Sequence, residues 1–260
     1  MHDGTDGGTH EPRVALVTGG GRGIGAAITL ALAGSGFDVA INYRRDEDAA
    51  RHTADLVRAQ GRRAEIYAAS VDDAAACVTM TDAVLADFGY VDTFVHNAGI
   101  ASRGNAVVDT DPAELERLWR THAFAAFTIA QQVLPSMRTR PRGDVIMISS
   151  VAASAMAGWS APYNMAKAAL EALARTLAKE ERRHGIHVNI VAPGLVDTDM
   201  GRRLAKAVMG AGDDIHSLDE RMAFGHVCSP EEVAEVVAWL VSDAARYVND
   251  QRIQVDGGTF

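Results

Sequence analysis

The chain has 260 residues, 48% of them hydrophobic, and a formal net charge of −9. That apolar share supports a sizeable core and excludes a wholly disordered chain. The acidic balance argues against a nucleic-acid or anionic-membrane surface, and no apolar run approaches the ~20 residues of a membrane span. Two cysteines, Cys77 and Cys228, show neither metal-ligand spacing nor a disulfide framework, which fits a reducing cytoplasm.

Met1–Pro12 is rich in Gly, Asp and His and carries no apolar stretch. It reads as a flexible tail, not a signal peptide, with His2 and His10 in a solvated terminus rather than on a metal. No metal site is expected elsewhere. From there, short apolar runs alternate with helical patterns, which predicts parallel β-α-β winding in a single doubly wound domain over residues 13–260. Strands are predicted at Val14–Thr18, Asp38–Tyr43, Ala64–Ala69, Val91–His96, Asp144–Ser149, His187–Ala192 and Arg252–Val255. Helices are predicted at Ile24–Gly34, Glu47–Gln60, Asp73–Phe88, Pro112–Met137, Tyr163–Arg183 and Pro230–Val241. Asp72 or Asp73 and Ser229 suit N-caps, Pro230 a first helical position, and Gly61 and Gly185 helix stops. Thr198–Val227 breaks the rhythm. Its length, charge and scattered apolar residues (Leu204, Val208, Ile215, Leu218, Met222) read as a lid over a cleft, with a packed helical hairpin as the alternative.

Between the first strand and first helix stands T-G-G-G-R-G-I-G, with Gly19, Gly21, Arg22, Gly23, Ile24 and Gly25. Glycines let main chain approach a ligand closely, and the free N–H groups of the following helix face a pyrophosphate. In a strand–turn–helix context this points to a dinucleotide. The second strand ends Asn42, Tyr43, Arg44, Arg45, without the carboxylate that would bind a ribose 2′-hydroxyl. Arg22, Arg44 and Arg45 suit a 2′-phosphate, so NADP(H) is favoured over NAD(H). The alternative is that Arg44 and Arg45 are solvated loop charges.

Tyr163 and Lys167 lie four residues apart, on one face of a helix, and Ser150 follows a strand. A phenol with a pKa of about 10 is a poor base at neutral pH. The lysine ammonium one turn away is expected to lower it, letting Tyr163 exchange a proton with a carbonyl or alcohol oxygen that Ser150 holds.

These residues resemble the short-chain dehydrogenase/reductase family over nearly the whole chain, from about Arg13 to Gly258. T-G-G-G-R-G-I-G is similar to its cofactor motif, H-N-A-G (His96–Gly99) to its N-N-A-G, and I-S-S-V with Y-N-M-A-K to its catalytic serine, tyrosine and lysine. V-A-P-G-L-V-D-T (Val191–Thr198) resembles the segment flanking the nicotinamide, and Q-V-D-G-G the last strand. The resemblance implies a Rossmann-type, seven-stranded parallel sheet with helices on both faces. It places Ser70 and Val71 by the adenine, Asn97, Ala98 and Gly99 by the cofactor, and Pro193, Gly194, Val196 and Thr198 by the nicotinamide. Lys167 would also hold the nicotinamide ribose. It further implies a homodimer or homotetramer through the helices flanking the serine strand.

Four positions depart from the family pattern. His122 stands where a fourth catalytic residue, an asparagine, holds a proton path; an imidazole there is expected to keep the relay and titrate near neutrality. Ser70 replaces a frequent aspartate, His96 the first asparagine of its motif, and Asp250 a glycine. The resemblance is nearest to 3-oxoacyl-(acyl-carrier-protein) reductase-like members, so a small carbonyl or alcohol substrate is expected, with an acyl carrier protein as one possible partner. Arg140, Arg142, Arg182 and Arg183 are candidates for carrier docking, although Pro141 and His184 occupy the expected positions themselves. Met156, Trp159 and Met200 are candidates for an apolar pocket. Two rival readings remain: an NAD-dependent sugar, polyol or alcohol dehydrogenase, and a non-catalytic NADP-binding sensor.

Overall fold

The computed structural model describes residues 11–259, so most of the predicted tail, with His2 and His10, lies outside the described residues. Seven strands form one sheet: β1 (Val14–Thr18), β2 (Asp38–Tyr43), β3 (Ala64–Ala68), β4 (Thr93–His96), β5 (Gly143–Ile148), β6 (Ile186–Pro193) and β7 (Arg252–Val255). Their order is β3-β2-β1-β4-β5-β6-β7, and all neighbours run parallel. The winding changes direction between β1 and β4. In sheets of this kind that switch point opens a crevice beyond the carboxyl ends of the strands.

The helices are α1 (Gly23–Gly34), α2 (Glu47–Ala59), α3 (Ala74–Phe88), α4 (Pro112–Trp119), α5 (Ala125–Met137), α6 (Ala152–Ala155), α7 (Ala161–Glu181), α8 (Asp199–Leu204) and α9 (Pro230–Leu240). Successive residues of a strand point to opposite faces. Leu16 of β1 joins an apolar layer with α3, α5 and α7. Its neighbours Ala15 and Val17 join another with α1, α2 and α9. Covered on both faces, the strands are apolar at successive positions, which explains runs such as V-A-L-V-T. Asp46, Asp73 and Ser229 cap α2, α3 and α9, the last through a reciprocal box with Glu232.

One predicted helix is corrected. Pro112–Met137 is not continuous: a π-helical turn, Arg120–Phe124, separates α4 from α5, and the Ala125 N–H reaches back five residues to Arg120 O. The extra residue leaves the apolar pattern on either side intact, so spacing gave no sign of it. The short helix α6 was also not foreseen, while α8 falls in the segment whose alternative reading is a helical hairpin.

The excursion after β6 has its own small core of Ala205, Ala211, Ile215, Leu218 and Val227. Leu204 and Val208, expected among its apolar contacts, are exposed instead. Its base is pinned where Val196 bridges Cys228, with Asp197 N–H donating to Cys228 O at 2.9 Å. Among the described residues no helix is long and apolar enough to cross a membrane.

Candidate active site

Every residue named above for cofactor or catalysis lines one cleft at the carboxyl ends of the strands. Its volume, about 1650 Å³, exceeds the roughly 300–1,000 Å³ usual for one drug-sized ligand. The glycine turn forms one wall. Gly19 has φ +61°, a left-handed conformation suited to glycine. A Cβ on Gly25 would lie 2.1 Å from Gly19 O and 2.5 Å from Asn97 Nδ2, so no side chain fits there. Asn97 Nδ2 donates to Thr18 O at 3.0 Å and Gly19 O at 3.2 Å, tying β4 to the turn. No side chain caps α1 at Arg22, which leaves its first N–H groups for a ligand. The turn thus fits a bound pyrophosphate.

At the far end of this wall Arg44 and Arg45 are exposed, and no ion pair is formed by either among the described residues. Arg22 instead approaches Asp199 of α8 at 3.7 Å. Asp46 is occupied in capping α2, accepting from Ala49 N–H at 3.1 Å, and so supplies no carboxylate to the corner. Ser70 donates to Asp72, beside the buried Val71. Across the cleft, Thr198 caps α8 by accepting from Gly201 N–H at 3.0 Å. This cap fixes the chain leaving Pro193, Gly194 and Val196.

Ser150, Tyr163 and Lys167 meet at the centre. Ser150 follows β5, accepts from Ala152 N–H at 3.2 Å and hydrogen-bonds Tyr163. Tyr163 lies in the first turn of α7, and Lys167 one turn on donates from Nζ to Ile148 O at 2.7 Å. The Nζ atom is 5.7 Å from the Tyr163 ring centre. Burial sets the charge balance of both groups. Burial raises the Tyr163 phenol above its ordinary value, opposed by the Ser150 hydrogen bond. Burial also lowers Lys167 to about 7, opposed by Glu171. Loss of hydration is the larger influence on both groups, and the ammonium is held by Ile148 O.

His122 is the third residue of the π turn and is fully buried. Its Nε2 lies 2.9 Å from Ile100 O and 3.3 Å from Ile100 N, and its ring meets Tyr163 edge-on at 5.4 Å between centres. Burial first, and Lys167 second, push its pKa well below 6.5. The expected titration near neutrality is therefore corrected: His122 is neutral there.

Three contributors escaped the sequence reading. Glu171 accepts from Ser149 Oγ at 2.7 Å and from Arg252 Nε at 2.9 Å, while an Arg252 Nη donates to Ser150 O at 3.2 Å. The signal was available, because Glu171 extends the Tyr163, Lys167 series by another four residues. Asn42, polar in a buried strand, accepts from Gly19 N–H at 3.2 Å and donates to Ala69 O at 3.1 Å.

A family model described as enoyl-(acyl carrier protein) reductase matches residues 19–259. The chain belongs to the short-chain dehydrogenase/reductase family and is an oxidoreductase acting on CH–OH or carbonyl groups. It is 36% identical over 255 residues to versicolorin reductase stcU of Emericella nidulans, covering 95% of this chain and 96% of that one. It is 34% identical over 250 residues to the 3-oxoacyl-[acyl-carrier-protein] reductase FabG of Escherichia coli, covering 96% and 98%. Its fold is similar to L-sorbose reductase from Gluconobacter frateurii, solved with NADPH and L-sorbose, at a TM-score of 0.88 and 30% identity, covering 95% and 96%.

Proposed function

We propose that the chain interconverts a ketone and a secondary alcohol with NADP(H), and that Ser150, Tyr163 and Lys167 perform the proton chemistry. The observation that carries this reading is their convergence in the cleft that also holds the glycine turn. A nicotinamide dinucleotide, when bound, supplies or accepts the hydride. Gly19–Gly25 and the α1 N-terminus would hold its pyrophosphate. Arg44 and Arg45, without carboxylate partners among the described residues, would hold the 2′-phosphate, and Lys167 the nicotinamide ribose. The Ser150 hydroxyl orients the substrate oxygen. The Tyr163 hydroxyl gives that oxygen a proton in reduction and takes one back in oxidation. The Lys167 ammonium stabilises the phenolate formed in reduction.

The mouth of the cleft supports a ketone with an apolar body. Trp159, Leu204, Val208 and Phe224 line it and are exposed, whereas Met156, a candidate from the sequence, is exposed but does not line it. Trp159 and Phe224 also have positive φ, 56° and 57°, a strain that recurs at ligand sites. The segment Thr198–Val227, pinned at its base, acts as the lid. A carrier-linked acyl substrate has less support. Arg140 is engaged by Asp92 at 2.8 Å, and Arg142 by Asp144 at 2.9 Å. Two of the four candidate docking cations are thus committed within the chain. Both cysteines are free, in keeping with a reducing compartment. The partner we propose is a second copy of the chain, through α4, α5 and α7.

The test is loss of NADPH absorbance with a panel of aryl, alkyl and 3-oxoacyl ketones. Turnover should fall about 10²–10⁴-fold in Tyr163→Phe, with NADPH binding retained. Tight NADPH binding without turnover of any ketone would favour the sensor instead.

A further inference from the structure

Ser149 and Ser150 stand where the sheet stops supporting the chain on one side. The last pair between β4 and β5 is His96 with Met147. Beyond it β5 keeps a strand neighbour only in β6, where Ser149 N–H donates to Val191 O at 2.7 Å. A side chain that orients a reacting oxygen has to be held to about 0.5 Å. The bonds that Ser150 makes within its own turn do not achieve this. Its Oγ accepts from Ala152 N–H at 3.2 Å and its O from Ala153 N–H at 3.1 Å. These fix the shape of the turn, but not its place relative to α7.

Side chains from two other elements supply the missing hold. Glu171 continues the Tyr163, Lys167 stripe of α7. Its Oε1 accepts from Ser149 Oγ at 2.7 Å and from Arg252 Nε at 2.9 Å. Arg252 opens β7, at the edge of the sheet. Its Nη1 donates to Gln254 Oε1 at 2.6 Å, and its Nη2 to Ser150 O at 3.2 Å and Ser154 Oγ at 3.1 Å. A planar guanidinium serves these acceptors at fixed angles, which an ammonium cannot do. Both serines are thus tied to one ion pair, Ser149 by its hydroxyl and Ser150 by its carbonyl. The two charged side chains are 14% and 12% exposed. At such depth an ion pair adds little stability over apolar residues of similar volume, so placement is the contribution to look for.

We propose that Glu171 and Arg252 are positioning residues for Ser150: their ion pair fastens the end of β5 to α7 and so sets the serine hydroxyl against the tyrosine that the same helix carries. The role rests on the reading of Ser150 as the group that orients the substrate oxygen.

The test replaces the pair as a unit. Arg252→Met combined with Glu171→Leu removes both charges together, so neither is left buried alone. Each protein is assayed at its own pH optimum. In the double variant kcat for ketone reduction should fall about tenfold, while KM for NADPH changes by less than about twofold, since the glycine turn is untouched. In a Ser150→Ala background no hydroxyl is left to place, and the same double substitution should cost less than about twofold more. Wild-type kcat in the double variant, or an undiminished loss without the Ser150 hydroxyl, would overturn the proposal. Should the double variant fail to fold, Ser149→Ala decides, because it removes only the hydroxyl that Glu171 holds. Its kcat should drop severalfold with KM for NADPH retained, and an unchanged kcat would overturn the proposal equally. A wild-type protein that reduces no ketone sinks the reading of Ser150 and this role with it. An active wild type matched by its variants sinks this role alone, so the two failures are distinguishable.

Discussion

Lys167 shows how burial overrides a pairing inferred from spacing. Its ammonium is held by Ile148 O rather than by the phenol, and its pKa falls to about 7. In an unfolded chain a lysine keeps its proton to about 10.4. Between these values the unfolded state binds more protons, so this group makes the fold more stable as pH rises from 7 to 10. Cys77 and Cys228, raised by burial to about 11 and about 12, act in the opposite direction above about pH 8.5. The informative quantity is therefore the difference in melting temperature between wild type and Lys167→Met. It should grow in favour of the wild type from pH 7 to 9; a flat difference would show that Lys167 is not depressed. Arg44 tests the cofactor corner at the same scale. It is exposed and has no carboxylate partner among the described residues. Arg44→Asp should lower the preference for NADPH over NADH by about ten- to a hundredfold, the worth of a charge-assisted hydrogen bond. An unchanged ratio of kcat/KM values would assign the 2′-phosphate to other groups.

Among the elements, the strand–turn–helix of β1 and α1 is the most demanding. Gly25 sits where main chain of the turn leaves no room for a Cβ, whereas Gly34, at the other end of α1, meets nothing closer than 3.6 Å. Gly25→Ala should therefore weaken NADPH binding by about tenfold or more, a loss of at least 1.4 kcal/mol, and Gly34→Ala should leave it unchanged. Titration calorimetry on both variants checks this. Such a turn is legible in a sequence because its function restricts residue type at fixed positions, and Ser150, Tyr163 and Lys167 are legible for the same reason. The π turn at Arg120–Phe124 is not, because a change of hydrogen-bond register between α4 and α5 alters no side-chain pattern. The pKa directions of Tyr163 and His122 are also hidden, since they depend on depth, which spacing does not report. Arg140 and Arg142 read as free surface cations because their partners Asp92 and Asp144 become neighbours only when the sheet forms.

The whole molecule leaves one apolar face unexplained by its own core. Trp119 of α4, Phe127 of α5 and Met165 of α7 are between 45% and 55% exposed. Pro112, Leu115, Trp119 and Met165 border a trough of about 560 Å³ between α4 and α7. Met165 lies two residues from both Tyr163 and Lys167 on α7, so a partner resting on this face would brace the helix that carries them. Exposed apolar surface of this kind marks interaction sites in proteins that otherwise cover it, and a face shared by two copies is self-complementary under twofold symmetry. Met165→Asp places a charge in the trough without touching the cleft wall. Light scattering coupled to gel filtration should show the wild type as a dimer or larger and the variant as a smaller species. If helix bracing contributes to turnover, kcat of the variant should fall with dilution as the remaining assembly dissociates, while the wild type holds its specific activity. A monomeric wild type at micromolar concentration would remove the assembly from the account and leave α7 positioned by its own contacts with α4, α6 and β6.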